Sequence, residues 1–185
     1  MSAQPDPDQG NVLLQIARAA IASRFGLWFE CRDDDEFLHE QRASFVTLTL
    51  SGRLRGCIGS LQAHRKLLDD VRANAQAAAF RDPRFHPLTA AEYNDTAIEV
   101  SLLSPLSAMH FRDEQDALAQ LQPGIDGIVL QCGNKRGTFL PQVWESLPDP
   151  KRFLEELKRK AGLTPDFWSG DVRLFRYHVD KWVES

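Results

Sequence analysis

The chain has 185 residues, 43% hydrophobic and 26% charged, with a formal net charge of -4. That length suits one domain, or two lobes sharing a core, burying about 70% of the unfolded surface. The acidic balance argues against a non-specific nucleic-acid binder, which needs a basic face to release counterions, and Cys31, Cys57 and Cys132 lie too far apart to propose a disulfide framework or a zinc site.

Residues 1–10 carry Pro5, Asp6, Pro7 and Asp8 and read as a frayed tail, without the basic start and apolar run of a signal peptide. No stretch reaches the roughly 18 to 20 apolar residues that span a bilayer, so a soluble, cytoplasmic protein with no membrane association is expected. Asn11 is placed to cap a helix whose Leu14, Ala17, Ile21 and Phe25 recur at helical spacing and which Gly26 ends. The acidic run 33–36 reads as a solvated loop, and neither Cys31 nor His39 stands at metal-ligand spacing from it.

Phe45 to Leu50 reads as a strand, Ser51-Gly52-Arg53 as a short connection containing glycine, and Leu54-Arg55-Gly56-Cys57-Ile58-Gly59 as the second arm of a hairpin. Alternation along that arm places Arg55, Cys57 and Gly59 on one face, a cation beside a thiol, with Gly59 leaving room for a ligand, a backbone or a helix. Lys66 to Arg81 reads as an alanine-rich helix able to lie close on a sheet, and Asp82-Pro83 stops it. The loop from Asp82 to Leu88 then carries Arg84, Phe85 and His86. Thr89 caps a short turn, and Ala97 to Ser104 is a strand in which Glu99 points away from Ile98 and Val100, toward solvent or a cleft.

Asp113 to Gln122 reads as an amphipathic helix, and Ile128 to Gln131 with Thr138 to Leu140 as a second hairpin around the turn 133–137, which holds Arg136. The stretch Phe139 to Trp144 reads either as a partner-binding edge interrupted by Pro141 or as core around Trp144. Asp149 and Pro150 open a helix with Leu154, Leu157 and Ala161 inward and Gly162 at its end. Val172 to Val183 alternates as one last strand. Strands arriving as hairpins rather than βαβ units predict an α+β fold with a mainly antiparallel sheet and helices packed outside.

Two kinds of chemistry compete at the hexapeptide. Cys57 is a candidate nucleophile if Arg55 favours its thiolate, with His64, His86 or His178 supplying a base from elsewhere in the fold; the alternative is a small buried residue in a packed strand. Arg55, Arg84 and Arg136 could instead converge on a carboxylate or phosphate. Dinucleotide, phosphate-loop and metal motifs are absent, so no cofactor is expected.

Several blocks, in order, resemble one known family. Leu54 to Gly59 leads, followed by Asn74-Ala75 with Ala78-Ala79-Phe80, Asp82-Pro83-Arg84-Phe85 with Pro87-Leu88, Ile98 to Ser101 with Leu103-Ser104-Pro105, then Asp126-Gly127, Arg136-Gly137 and Phe139 to Trp144. Together they are similar to the AMMECR family, whose bacterial members are called AmmeMemoRadiSam system protein A. The resemblance covers residues 11 to 183 and implies a single AMMECR domain over 11–185, again of the α+β class. It further implies an accessory or ligand-binding component acting with Memo-type and radical-SAM proteins. The arginines themselves suit a small anionic ligand, and the acidic balance makes nucleic acid the least expected partner. A ligand would then meet Gly56, Gly59, Asp82, Arg84, Glu99 and Arg136. The alternative is a thiol-dependent hydrolase or group transferase using Cys57 with Arg55 orienting an anionic substrate.

Overall fold

Five α-helices and eight strands follow in the computed structural model, which describes residues 6–184. In chain order they are α1 (Pro7–Ala22), β1 (Ser44–Leu50), β2 (Arg53–Gly59), α2 (Leu67–Phe80), α3 (Ala90–Tyr93), β3 (Thr96–Leu103), β4 (Ser107–Ala108), α4 (Glu114–Gln120), β5 (Gly127–Cys132), β6 (Lys135–Phe139), α5 (Pro150–Lys160), β7 (Arg173–Tyr177) and β8 (Val179–Val183). The chain divides into two compact units, one made of Met1–Leu103 with Asp180–Ser185 and the other of Ser104–Val179. Each has a four-stranded sheet, ordered β2-β1-β3-β8 in the first and β4-β7-β5-β6 in the second, and the assigned pairings are antiparallel. The α+β class read from the sequence is therefore the observed one.

In the first unit α1 and α2 lie on the sheet face formed by alternate residues of β1 and β3. Leu13, Ile16, Val71 and Ala75 pack there against Val46, Leu48, Ile98 and Val100, all of them buried. The small residues of α2 permit close approach. A Cβ added at Gly56 would stand 2.1 Å from the carbonyl oxygen of Ala78, so helix backbone and strand backbone touch where only glycine fits. At the N-terminal end of α2, the buried Asp70 carboxylate accepts from Ser44 N and Oγ, Asn74 Nδ2, Ser60 Oγ and Arg65 Nε, tying the start of β1 and the residue that follows β2 to the helix.

The second unit builds its own core under α4 and α5, from Ile128, Leu130, Phe153, Leu157 and Leu174. Trp144 belongs to that core: its ring stacks on Phe153 at 3.7 Å, and its indole N–H donates to the Asp126 carbonyl at 2.8 Å. Within the stretch from Phe139 to Trp144, Phe139, Val143 and Trp144 therefore supply packing, while β6 remains the edge of its sheet. Lys158 is also buried, with its ammonium paired to Glu114 and donating to the Pro165 carbonyl.

Several local expectations change. Helix α1 starts at Pro7 under an Asp6 cap, not at Asn11, because the Asp6 carboxylate accepts from the Asp8 amide at 3.0 Å and proline suits the first turn. Of the tail expected over 1–10, residues 7–10 are thus helical, and residues 1–5 lie outside the described residues. Both hairpin turns are tighter than read. Ser51 and Gly52 turn alone, at φ 51° and 74°, the paired positive values of a type I′ turn. In the second hairpin only Gly133 and Asn134 turn, so Arg136 is part of strand β6, opposite Gln131. The last alternating run is two strands in different sheets, divided at His178, whose amide donates to Ser104 Oγ.

The contact between Gly56 and α2 leads to a first expected outcome. Gly56→Ala must push α2 off the sheet or distort β2, at a cost of about 2 kcal/mol or more, read as a lowered urea midpoint with the antiparallel fold retained by circular dichroism.

Candidate functional site

Strand β2 lies at the edge of its sheet, so half of its backbone groups need partners from outside the ladder. At Cys57 the loop after α2 supplies them. The Cys57 amide donates to Asp82 Oδ2 at 2.9 Å, and its carbonyl accepts from Arg84 Nη2 at 3.2 Å. Asp82 and Arg84 are themselves joined. Asp82 Oδ1 accepts from the Arg84 amide and Nε at 3.1 and 3.0 Å, and Oδ2 from Nη2 at 2.7 Å. A carboxylate and a guanidinium thus stand where the next strand would be. The Asp82 side chain is 1% exposed and that of Arg84 is 54% exposed, so the carboxylate faces the strand and the cation remains open to solvent. Arg84 above all, then the amides of Cys57 and Arg84, holds the Asp82 carboxyl well below the usual carboxylate range.

Arg55 is placed by an irregularity. The β1–β2 register runs Thr47↔Cys57 and Leu48↔Gly56, then jumps to Thr49↔Leu54, leaving Arg55 as the extra residue of a β-bulge. Its guanidinium turns to Glu92 on α3, Nε to Oε1 at 3.0 Å and Nη2 to Oε2 at 3.1 Å, with a further 3.4 Å contact to the Pro87 carbonyl. Glu92 is fixed from its own side by a capping box with Thr89. The Arg55 pair, then the Thr89 amide and hydroxyl, lowers Glu92 to about 2. The Arg55 guanidinium is therefore paired with Glu92, whereas strict alternation would set it beside Cys57. The side chain is 13% exposed, and Nη1 is buried with no hydrogen-bond partner among the described residues.

The ring of Phe85 lies 5.9 Å from the Arg55 guanidinium and 5.4 Å from that of Arg84, near enough for cation–π attraction to both. Around these groups opens a cavity of about 610 Å³, walled by both arginines, Glu92 and Thr89 and by the residues of the 83–87 loop, His86 among them. The loop singled out from the sequence and the bulged end of the hexapeptide thus line one cavity.

The remaining candidates are not among the residues that line this cavity. Cys57 is half-buried, and its sulfur accepts from Thr47 Oγ1 at 3.3 Å. Thr47 stands in register with Cys57 on one side and Glu99 on the other, making a row across three strands on the face turned away from the helices. Glu99 faces away from the buried Ile98 and Val100, as expected, and its carboxylate is 3.8 Å from Lys181 Nζ. Gly56 is occupied by α2, and the space beside Gly59 holds the ring of Phe45, 2.1 Å from where a Cβ would stand. Arg136 belongs to the second unit, exposed on β6. Among the described residues none of His64, His86 or His178 hydrogen-bonds to Cys57, and no group of three or more His, Cys, Asp or Glu side chains could hold a metal ion.

Glu92 and Thr47 were not anticipated. Thr89-x-x-Glu92 carries the capping-box spacing, but the capping carboxylate's second role, on Arg55, depends on where the bulge sends that arginine.

The family profile described as AMMECR1 matches residues 14–182. A protein of Methanothermobacter thermautotrophicus is 35% identical over 187 residues, covering 96% of this chain and 95% of its own. One from Sulfolobus acidocaldarius is 38% identical over 169 residues, covering 87% of this chain and 74% of its own. The crystal structure of an uncharacterized protein from Pyrococcus horikoshii superposes with a TM-score of 0.77 at 30% identity, over 97% of this chain and 93% of that one. The chain belongs to the AMMECR1 family.

The depressed Glu92 carboxyl sets an acid dependence. Because its folded value, about 2, lies below the ordinary 4.5, the stability it contributes is complete above pH 4.5 and disappears as pH falls through about 2. Glu92→Gln should therefore be less stable than the unsubstituted protein by about 1 kcal/mol at neutral pH. The gap should close as pH falls from 4.5 to 2, in urea melts at a series of pH values.

Proposed function

We propose that this AMMECR1-family chain is an accessory, ligand-binding protein whose site is the cavity between the bulged edge of β2 and the segment from Pro83 to Glu92, and whose ligand is a small anion. The observation that carries the reading is the buried Nη1 of Arg55, a donor on a permanently charged group that has no acceptor among the described residues. Leaving such a donor unpaired is costly, and a shift of the Arg55 side chain that opens it to the cavity would let a carboxylate or phosphate oxygen satisfy it. Arg84, half-exposed at the same wall, supplies a second cation, and the Phe85 ring and the two prolines give the apolar surface that small-molecule sites share with a few fixed polar groups. The cavity volume is in the range of such sites. Working with Memo-type and radical-SAM proteins remains what the family resemblance implies.

Titration of the ¹⁵N-labelled protein with succinate tests the site. Saturable shifts of the Cys57 and Phe85 amides are expected, weakened about tenfold in Arg84→Gln, since a charged hydrogen-bond partner is lost. Absence of saturation, or equal binding by the variant, would remove the reading. The partner half is tested separately by capture from native extract with tagged protein; recovery of neither a Memo-type nor a radical-SAM protein would remove it.

A thiol-dependent hydrolase or transferase is the second reading, favoured by the incomplete burial of Cys57 and by an arginine on its backbone. Here Arg84 replaces Arg55 as the nearby cation. Cys57→Ser should abolish any turnover while leaving the melting transition nearly unchanged, whereas a packing role predicts a shifted transition and no catalytic loss.

A further inference from the structure

We infer that the sheet of the second unit carries an anion site of its own, formed by Arg136, Gln131 and Arg173, that takes a phosphoryl group. The register places these residues. Strand β5 lies between β6 and β7, and Gln131 stands opposite Arg136 on one side and Arg173 on the other. Directly opposed residues share a face, and that face is the one away from α5, because Ile128 and Leu130 turn into the core cluster and Gln131 follows them by an odd step. Both arginines are exposed, and Gln131 is half-buried between them.

Neighbouring strands are about 4.8 Å apart, so the two arginine stems start about 10 Å apart and their guanidinium groups can meet over Gln131. Nothing in the unit neutralises them. Its ion pairs are Arg112–Asp116, Lys158–Glu114, Arg159–Glu156 and Arg176–Asp126, and among the described residues neither Arg136 nor Arg173 has a carboxylate or any other hydrogen-bond acceptor. Two like charges flanking one position repel, and an anion between them reverses the sign of that interaction. Each guanidinium can present a pair of parallel N–H groups and the Gln131 carboxamide a further donor. That many donors suit the three terminal oxygens of a phosphoryl group better than the two of a carboxylate. The inference goes beyond the cavity beside β2 and does not depend on it, since every residue in it belongs to the other unit.

The test is a titration of the full, ¹⁵N-labelled chain with inorganic phosphate, against sodium chloride at matched ionic strength, read at the Gln131 side-chain amide. Saturable shifts with phosphate and none with chloride are expected, with the affinity falling about tenfold or more in R136Q/R173Q. R152Q, an exposed arginine on α5, serves as the control that should bind as the unsubstituted chain does. Glycerol phosphate in parallel separates two sources of the group: equal or tighter binding assigns the site to a phosphate monoester, rejection to free phosphate. Shifts that follow ionic strength alone would overturn the proposal without any variant, and so would phosphate binding unchanged in R136Q/R173Q. The succinate response at Cys57 and Phe85 is read in the same spectra, so loss of one site is distinguishable from loss of the other.

Discussion

The first unit depends on how an unpaired strand edge is finished. Backbone amides and carbonyls on the open side of β2 need partners, and at Cys57 they get them from a side chain of each sign. Asp82 is well suited because it lies at the stop of α2, where Pro83 prevents the helix from continuing and turns the chain back along the strand. Once Asp82 and Arg84 are fixed on Cys57, Phe85 is brought between two guanidinium groups and the Pro87 carbonyl within reach of Arg55. Cavity and loop conformation follow from one edge repair. The charge-assisted bonds involved are stronger than neutral ones, though Arg84 keeps much of its hydration and contributes less than Asp82.

Each residue from Arg55 to Gly59 has its own place in that arrangement. Arg55 is the bulge, Gly56 the contact with α2, Cys57 the edge position that the loop grips by its backbone, and Ile58 a side chain packed against the core. Gly59 admits the ring of Phe45. Much of the motif's composition therefore answers to packing and backbone geometry. What that leaves for chemistry is small and specific: one guanidinium nitrogen, one half-exposed arginine and one thiol with a hydroxyl donor beside it.

The hairpin, the α+β class and the outward turn of Glu99 were legible because they rest on local signals, glycine turns and period-two burial. The position of Arg55 was not. A bulge is one extra residue whose location depends on the partner strand's register, and nothing in Leu54 to Gly59 alone marks where the count slips. The last run, Val172 to Val183, misled for a similar reason: the alternation continues through His178 although the chain changes sheets there, with neither glycine nor proline to mark the step. In the sequence Arg136 stands only as a third guanidinium beside Arg55 and Arg84, and the structure puts it in the other unit. Its neighbours in register, Gln131 and Arg173, become visible only once the strands pair.

The two proposed sites differ in how their cations are held, and that difference constrains what each can bind. Beside β2 the guanidinium groups are already engaged, Arg55 by both oxygens of Glu92 and Arg84 by Asp82. An incoming anion must use the unengaged donors or displace a carboxylate held far below its ordinary titration range, so orientation is pre-set and electrostatic attraction is weak. A ligand there is selected by shape and by contact with Phe85. On the second sheet the arginines are exposed and, among the described residues, have no anionic partner, so attraction would dominate. Such a site recognises charge and the number of oxygens, and its affinity falls steeply with salt. The paired cations favour discrimination among small organic anions, and the unpaired ones favour capture by charge and by the number of oxygens offered.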